Sequence, residues 1–306
     1  MITLGYFADG PWSHRALELI AADPRFKVLF IVPRFDTRDP VLAEWAKKLN
    51  VPFLPIEKVN TPEAIAELKT YGAELFVSMS FNQILKRPIL NAAPRGFINC
   101  HAGALPFYRG RNILNWALIN DEKNFGITVH YIDEGIDTGD ILVQRLLPID
   151  DTDTYATVLT RAITSCADVL HEALVGLEAG TLQSRPQSEI HAVGSYFGRR
   201  RPGDEWIDWT WSSRRIFNFV RAITHPGPCA MTRLDGKLVK IVSAGLIPDA
   251  PSYICTPGEI TGVTPQGVTV KTGDSTIFVS AWEGDGEPAP RLKIGQRFTV
   301  RGPESA

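Results

Sequence analysis

From Ile2 to Ser80 the chain alternates between two periodicities, and that alternation limits its fold more than any other feature. ITLGYF (2–7) and KVLFIVP (27–33) are apolar, β-rich runs, whereas SHRALELIAA (13–22) and PVLAEWAKKL (40–49) repeat their apolar residues at helical spacing. VPFLPI (51–56), PEAIAELKTYG (62–72) and AELFVSMS (73–80) continue the pattern. Strands separated by helices pair in parallel, with the helices crossing over the sheet faces. The expected class is therefore α/β, with a Rossmann-like, mostly parallel sheet flanked by helices. FINCH (97–101) then reads as a central strand, and its carboxyl end falls where open α/β sheets bind ligands.

Beyond Asp150 the pattern changes twice. DDTDTYATVLTRAITSCADVLHEALVGLEAG (150–180) offers Asp and Thr caps, an apolar stripe that includes Cys166, and Gly180 as a stop, so it reads as one long amphipathic helix. SRPQSEIHAVGSYFGRRRPGDE (184–205) is polar, aperiodic and basic. After it, SSRRIFNFVRAI is a helix candidate, and from Cys229 short strand-like runs alternate with glycine-containing turns, as in a small barrel. The expected division is a catalytic domain over 1–184, a basic linker over 185–205 and a smaller OB-like β-barrel domain over 206–306.

Composition narrows the function. A chain of 306 residues with 44% hydrophobic content can bury a sizeable core, and a formal net charge of −2 supplies no global field for a polyanion. There is no 18-residue apolar run and no signal-like amino terminus, so the expectation is a cytoplasmic protein without a membrane partner. The four cysteines are widely spaced and none forms C-x-x-C, which suggests neither a disulfide framework nor a zinc ribbon. Neither G-x-G-x-x-G nor G-x-x-x-x-G-K-[ST] occurs among the glycines, which removes the strongest arguments for a dinucleotide or NTP.

The end of FINCH gathers Asn99, Cys100 and His101, residue types that first suggest metal ligation. Strand alternation speaks against it: Asn99 and His101 project to one face and Cys100 to the other. Downstream, DEGIDTGD (133–140) places four carboxylates in a glycine-containing loop without the calcium-loop spacing. Read alone, it is either a cation loop or a solvated acidic turn.

INCHAGALPFYRGRNILNWALINDEKNFGITVHYIDEGIDTGDIL (98–142) resembles the signature region of folate-dependent formyltransferases: an N-x-H strand end, an L-P-x-Y-R-G loop and a D-x-G-x-D-T-G loop, in that order. The resemblance implies that Asn99, His101 and Asp137 are the catalytic set, that N10-formyltetrahydrofolate is the co-substrate, and that no metal is needed. SMSFNQILKRPIL (78–90) is similar to the loop lining the folate pocket in that family. Phe81, Gln83, Ile84 and Leu85, with Asp133, Gly135 and Ile136, are then the implied folate contacts. Formyl transfer to an amine passes through a tetrahedral intermediate, which calls for fixed donors near the oxygen and a proton acceptor near the nitrogen. Asn99 suits the first task, and His101 oriented by Asp137 suits either; whether His101 or Asp137 takes the proton directly stays open.

The acceptor is implied less directly. FGRRRPGDEWIDW (197–209) resembles a segment of sugar-nucleotide formyltransferases, including the formyltransferase half of the bifunctional aminoarabinose enzyme, and arginine forks match a diphosphate. Arg199 and Arg200 are the implied pyrophosphate contacts, and Trp12, Arg109 and Tyr196 are further candidates for the nucleotide-linked amino sugar. Charges from Gly203 to Ala306 are balanced, so nucleic acid is not the expected partner. The expected activity is N-formylation of a nucleotide-linked amino deoxysugar for a bacterial surface glycan such as O-antigen. The alternatives are formylation of initiator methionyl-tRNA, or a non-catalytic relative that binds folate or sugar nucleotide. A homodimer through the smaller domain is implied by the same likeness.

Overall fold

The computed structural model describes residues 1–286 and 288–299, which form two compact units. The first comprises Met1–Ile113, Asn124–Leu147 and Thr160–Phe197; the second comprises Leu114–Lys123, Pro148–Leu159 and the chain from Gly198. In chain order the first 197 residues form β1 (Ile2–Ala8), α1 (Gly10–Ala22), β2 (Phe26–Pro33), α2 (Pro40–Leu49), α3 (Pro62–Thr70), β3 (Leu75–Met79), α4 (Arg87–Leu90) and β4 (Phe97–His101). There follow β5 (Arg109–Gly110), α5 (Ile113–Ile119), β6 (Asn124–Tyr131), β7 (Ile141–Pro148), α6 (Tyr155–Ala179) and β8 (Tyr196–Phe197).

Local chemistry explains the helix starts. Asp39 caps α2 by accepting from the Val41 and Leu42 amides, Thr61 caps α3 by accepting from Ala64, and a proline opens each helix where no amide partner is required. The main sheet has the order β2-β1-β3-β4-β6-β7. Its first four strands are parallel, and β6 then runs antiparallel to β4. Thus the sheet is Rossmann-like and mixed, and the catalytic-looking strand β4 lies at the change of direction. Under it, Phe7 packs against Phe97 and Phe76 with centroids 4.8 and 5.2 Å apart. VPFLPI is not a full strand: only Phe53 bridges to Ile31, because Pro52 and Pro55 have no amide to give a ladder. The 184–205 stretch is divided, with the residues up to Phe197 built into the first unit through an Ile141–Arg185 bridge and the β5/β8 pairing.

In the second unit, α7 (Ser213–Ile223) precedes β9 (Ala230–Leu234), β10 (Lys237–Leu246), β11 (Ile260–Thr264), β12 (Gly267–Lys271), β13 (Thr276–Gly284) and β14 (Phe298–Thr299). They form an antiparallel sheet of order β11-β12-β13-β10-β9-β14. Its two edges meet, with Ile260 N donating to Gln296 O at 2.8 Å and Phe298 N donating to Gly258 O at 2.9 Å. The expected small barrel therefore exists, its interior filled by alternating residues such as Val239, Ile241, Val268, Val270, Ile277 and Val279. The end of the expected strand GQRFTVRG, from Val300 onward, lies outside the described residues. No helix among the described residues is long and apolar enough to cross a membrane.

Candidate active site

The register of β4 against β6 builds the site. Asn99 lies opposite His130 and His101 opposite Thr128 in the antiparallel ladder. Alternation places Asn99 and His101 on one face, while Cys100 is buried on the other with its thiol directed at the Cys166 carbonyl, 3.5 Å away. The Asn–Cys–His run is thus split between a polar face and a packed one.

Two main-chain carbonyls set the histidine tautomers. His101 Nε2 lies 2.7 Å from Tyr108 O, and since a carbonyl only accepts, Nε2 carries the hydrogen and Nδ1 is turned toward Asp137 Oδ2 at 3.7 Å. His130 is fixed the other way: Nδ1 donates to Tyr131 O at 2.7 Å, leaving Nε2 facing Asn99 Nδ2 at 3.4 Å and Asp137 Oδ1 at 3.6 Å. Asp137 therefore sits between two imidazoles, and its Oδ2 also accepts from the Gly110 amide at 2.9 Å. Burial alone would raise its pKa. The His101 charge, the hydrogen bond and charge of His130 and the Gly110 amide outweigh burial and hold the carboxyl well below the usual range. The result is a persistent carboxylate between two imidazoles, an arrangement that stabilises the cation formed when a ring takes up a proton.

The loop carrying Asp137 is held from within. Asp133 accepts from the Gly135 amide at 3.1 Å and from Thr138 Oγ1 at 2.5 Å, so it closes the turn. Gly139 is required because a Cβ there would lie 2.0 Å from Tyr131 O. An Arg87–Glu134 contact of 3.8 Å joins this loop to the start of α4, where the 81–86 loop ends.

The implied folate residues divide by environment. Gln83 accepts from the Val59 amide and donates to Ile56 O, Leu85 is buried in the core, and Phe81 packs edge-on against Phe7. Ile84 and Ile136, 70% and 49% exposed, are the apolar side chains that the two joined loops leave to solvent. With exposed Gly135 they suit a flat, largely apolar ligand.

Of the implied acceptor contacts, Tyr196 lies on β8 beside β5, whose Gly110 amide holds Asp137. It is 58% exposed, and its ring lies against Gly110, where an added Cβ would come within 2.8 Å of Cε2. Beside it, Tyr108 and Phe197 stack with centroids 4.9 Å apart. Arg109 is engaged by Gln187 Oε1 and Val193 O, and Trp12 is half-buried in the first turn of α1. In the second unit Arg199 is exposed, whereas Arg200 lies over the Trp116 and Phe219 rings and donates to Asp204 O. His130 and Gln187 were not among the residues expected from sequence. The alternation within ITVHYI was a signal for His130, but its partner depends on strand register.

An α/β sheet with Asn and His ending a central strand, Asp on a following loop and a barrel after it is the arrangement that the sequence resemblance to the one-carbon transferases of the formyltransferase kind implied. Residues 37–174 match the formyl transferase family and residues 200–289 its C-terminal domain. The chain is 33% identical over 284 residues to methionyl-tRNA formyltransferase of Anaeromyxobacter sp. (strain K), covering 91% of this chain and 88% of that protein. With the enzyme of the same name from Geobacillus thermodenitrificans it shares 35% over 263 residues, 86% of this chain and 80% of the other. Among solved structures, the N-formyltransferase of Helicobacter canadensis in complex with folinic acid and dTDP-3-aminofucose superposes with a TM-score of 0.72 at 22% identity, covering 92% of this chain and 99% of that one. The sugar 3N-formyl transferase WlaRD gives 0.68 at 22% identity, covering 91% and 97%. This chain belongs to the formyl transferase family.

His130→Phe tests the residue that sequence did not single out. It keeps a ring but removes the nitrogen facing Asn99 and Asp137, so turnover is expected to fall about tenfold to a hundredfold. The measurement is kcat at saturating substrates; a wild-type value would assign His130 to packing alone.

Proposed function

We propose that the protein transfers the formyl group of N10-formyltetrahydrofolate to the amine of a nucleotide-linked amino deoxysugar, in the building of a bacterial surface glycan. The observation that carries formyl transfer is the placement of Asp137 between His101 and His130, with Asn99 hydrogen-bonded to His130. The folate supplies an electrophilic formyl carbon. The amine attacks that carbon, His101 Nδ1, backed by Asp137, accepts its proton, and the Asn99 amide donates to the oxygen on which negative charge develops. As the tetrahedral intermediate collapses, the C–N10 bond breaks and the proton passes from His101 to N10, releasing tetrahydrofolate and the N-formyl product.

The sugar reading rests on Tyr196, an exposed ring against Gly110, whose amide holds Asp137. A planar or sugar-bearing acceptor stacked there would sit beside the catalytic carboxylate. Charge supports it too. From Gly203 to Ala306 there are 11 Lys and Arg against 11 Asp and Glu. The α7 arginines are engaged, Arg214 with Asp121 and Asp151, Arg221 with the Asp150 and Asp153 carbonyls, and Arg215 over Trp211. A tRNA-binding face needs basic side chains available for phosphates. Arg199 and Arg200 are proposed as pyrophosphate ligands on the strength of the sequence resemblance.

The second reading is methionyl-tRNA formylation, favoured by the sequence relatives of that name. The two separate in one assay that offers N10-formyltetrahydrofolate with UDP-, dTDP- and GDP-linked amino sugars and with charged initiator tRNA. Turnover is expected on one of the amino sugars. Turnover on the tRNA alone would replace the sugar reading.

A further inference from the structure

We infer that Gln187 is a positioning residue for Asp137: a buried amide that clamps the main chain of the catalytic loop and ties it to the strand whose amide holds the carboxylate. Gln187 is 3% exposed and opens a single 3-10 turn, Gln187–Glu189, in the stretch that reads from sequence as a linker. Its Nε2 donates to Asp137 O and to Gly139 O, each at 2.8 Å. Its Oε1 accepts from Arg109 Nε at 3.0 Å and from Nη2 at 2.7 Å. A primary amide has two N–H donors and two oxygen lone pairs, and all four are used.

The geometry makes the clamp necessary. Asp137 has φ 54°, in the left-handed region, which Asp enters more readily than most residues but still less readily than the right-handed one. A backbone held there relaxes unless its surroundings fix it, and relaxation would swing the carboxylate off His101 and His130. β5 fixes it by two routes. Gly110 N donates directly to Oδ2, and its neighbour Arg109 reaches the Asp137 carbonyl through Gln187. Thus Arg109, which from sequence was a candidate for the acceptor, serves Asp137 through this relay. Glutamate cannot replace Gln187. Its carboxylate would still accept from Arg109 but would set negative oxygen against two carbonyl oxygens.

The test reads the aim of Asp137 without any substrate, so it is independent of which amine the enzyme uses. In β5, Arg109 N donates to Ser195 O and Arg111 N to Phe197 O, whereas Gly110 N between them donates to Asp137 Oδ2. Amide hydrogen exchange of the 15N-labelled full chain is compared between wild type and Gln187→Glu. Gly110 is expected to exchange at least about tenfold faster in the variant, with Arg109 and Arg111 changed by less than about twofold. On the wild-type acceptor, kcat is expected to fall about a hundredfold with KM within about threefold. Unchanged Gly110 exchange in a folded variant overturns the inference. So does acceleration of all three amides together, which would make Gln187 a support of β5 and β8 only. Should Gln187→Glu not fold, Arg109→Lys removes the fork from the same relay and must show the same Gly110-selective pattern, at smaller amplitude.

Discussion

Asp137→Asn is expected to lower formyl transfer about a thousandfold while leaving the fold and the donor affinity nearly intact, because the substitution removes a charge and almost no volume. The Asn oxygen can still accept from Gly110, but no anion then stands 3.7 Å from His101 Nδ1 when that nitrogen takes a proton. The loss should therefore appear in kcat, with KM for the folate changed little. A variant within about tenfold of wild type would show that His101 works without a counter-charge. The same residue makes a prediction about pH. Its folded-state pKa is depressed, so folding favours the ionised form, and its stabilising contribution is present above the ordinary carboxylate pKa of about 4 and lost as pH falls toward the depressed value. Thermal midpoints of wild type and Asp137→Asn should accordingly differ at neutral pH and converge below about pH 4. Above that pH the carboxylate stays ionised, so none of the pH dependence of turnover there comes from Asp137.

How much of this site could be read from sequence depends on the range of the interactions involved. The shared face of Asn99 and His101 follows from strand alternation within five residues, and so does the separation of Cys100. The capped helices α2 and α3 follow from Asp39, Thr61 and the prolines beside them. His130 is different, because its role arises from the antiparallel pairing of β6 with β4, and no local pattern encodes that register. Gln187 lies farther still from local signals. It sits in an aperiodic polar stretch, where composition suggests a solvated linker, and becomes buried only when β8 pairs with β5. The same reasoning explains VPFLPI, whose apolar content suggests a strand although its prolines limit it to one bridge. In the second unit the strand runs were visible, but their closure depends on contacts of Gly258, Glu259 and Ile260 with residues 296–298. Local chemistry thus specifies elements and faces, while long-range register completes the catalytic group.

Register also makes Gly103→Ala, outside the catalytic set, a substitution with a large expected effect. A Cβ at Gly103 would lie 2.4 Å from Tyr108 O and 2.5 Å from His101 Nε2, the two partners of the hydrogen bond that fixes the His101 tautomer. Neither partner yields easily: one is main chain and the other is a ring confined between β4 and its loop. The expected outcome is rotation of the imidazole and loss of the bond to Tyr108, so that Nδ1 no longer faces Asp137. Turnover should fall at least about a hundredfold, the scale of a 1 Å misplacement of a reacting group. Stability should change less. Overpacking costs about 1–3 kcal/mol, and Gly→Ala at an unstrained backbone restores about 0.4–1 kcal/mol by restricting the unfolded chain. Gly245→Ala is the control, since nothing lies within 4 Å of a Cβ there, and it should retain wild-type turnover. Comparing kcat and thermal midpoint for the two variants separates steric displacement of His101 from a general response to added methyl groups. If Gly103→Ala turned over at the wild-type rate, the ring would have to be held by something other than Tyr108, and the assignment of Nδ1 as the proton acceptor facing Asp137 would fall with it.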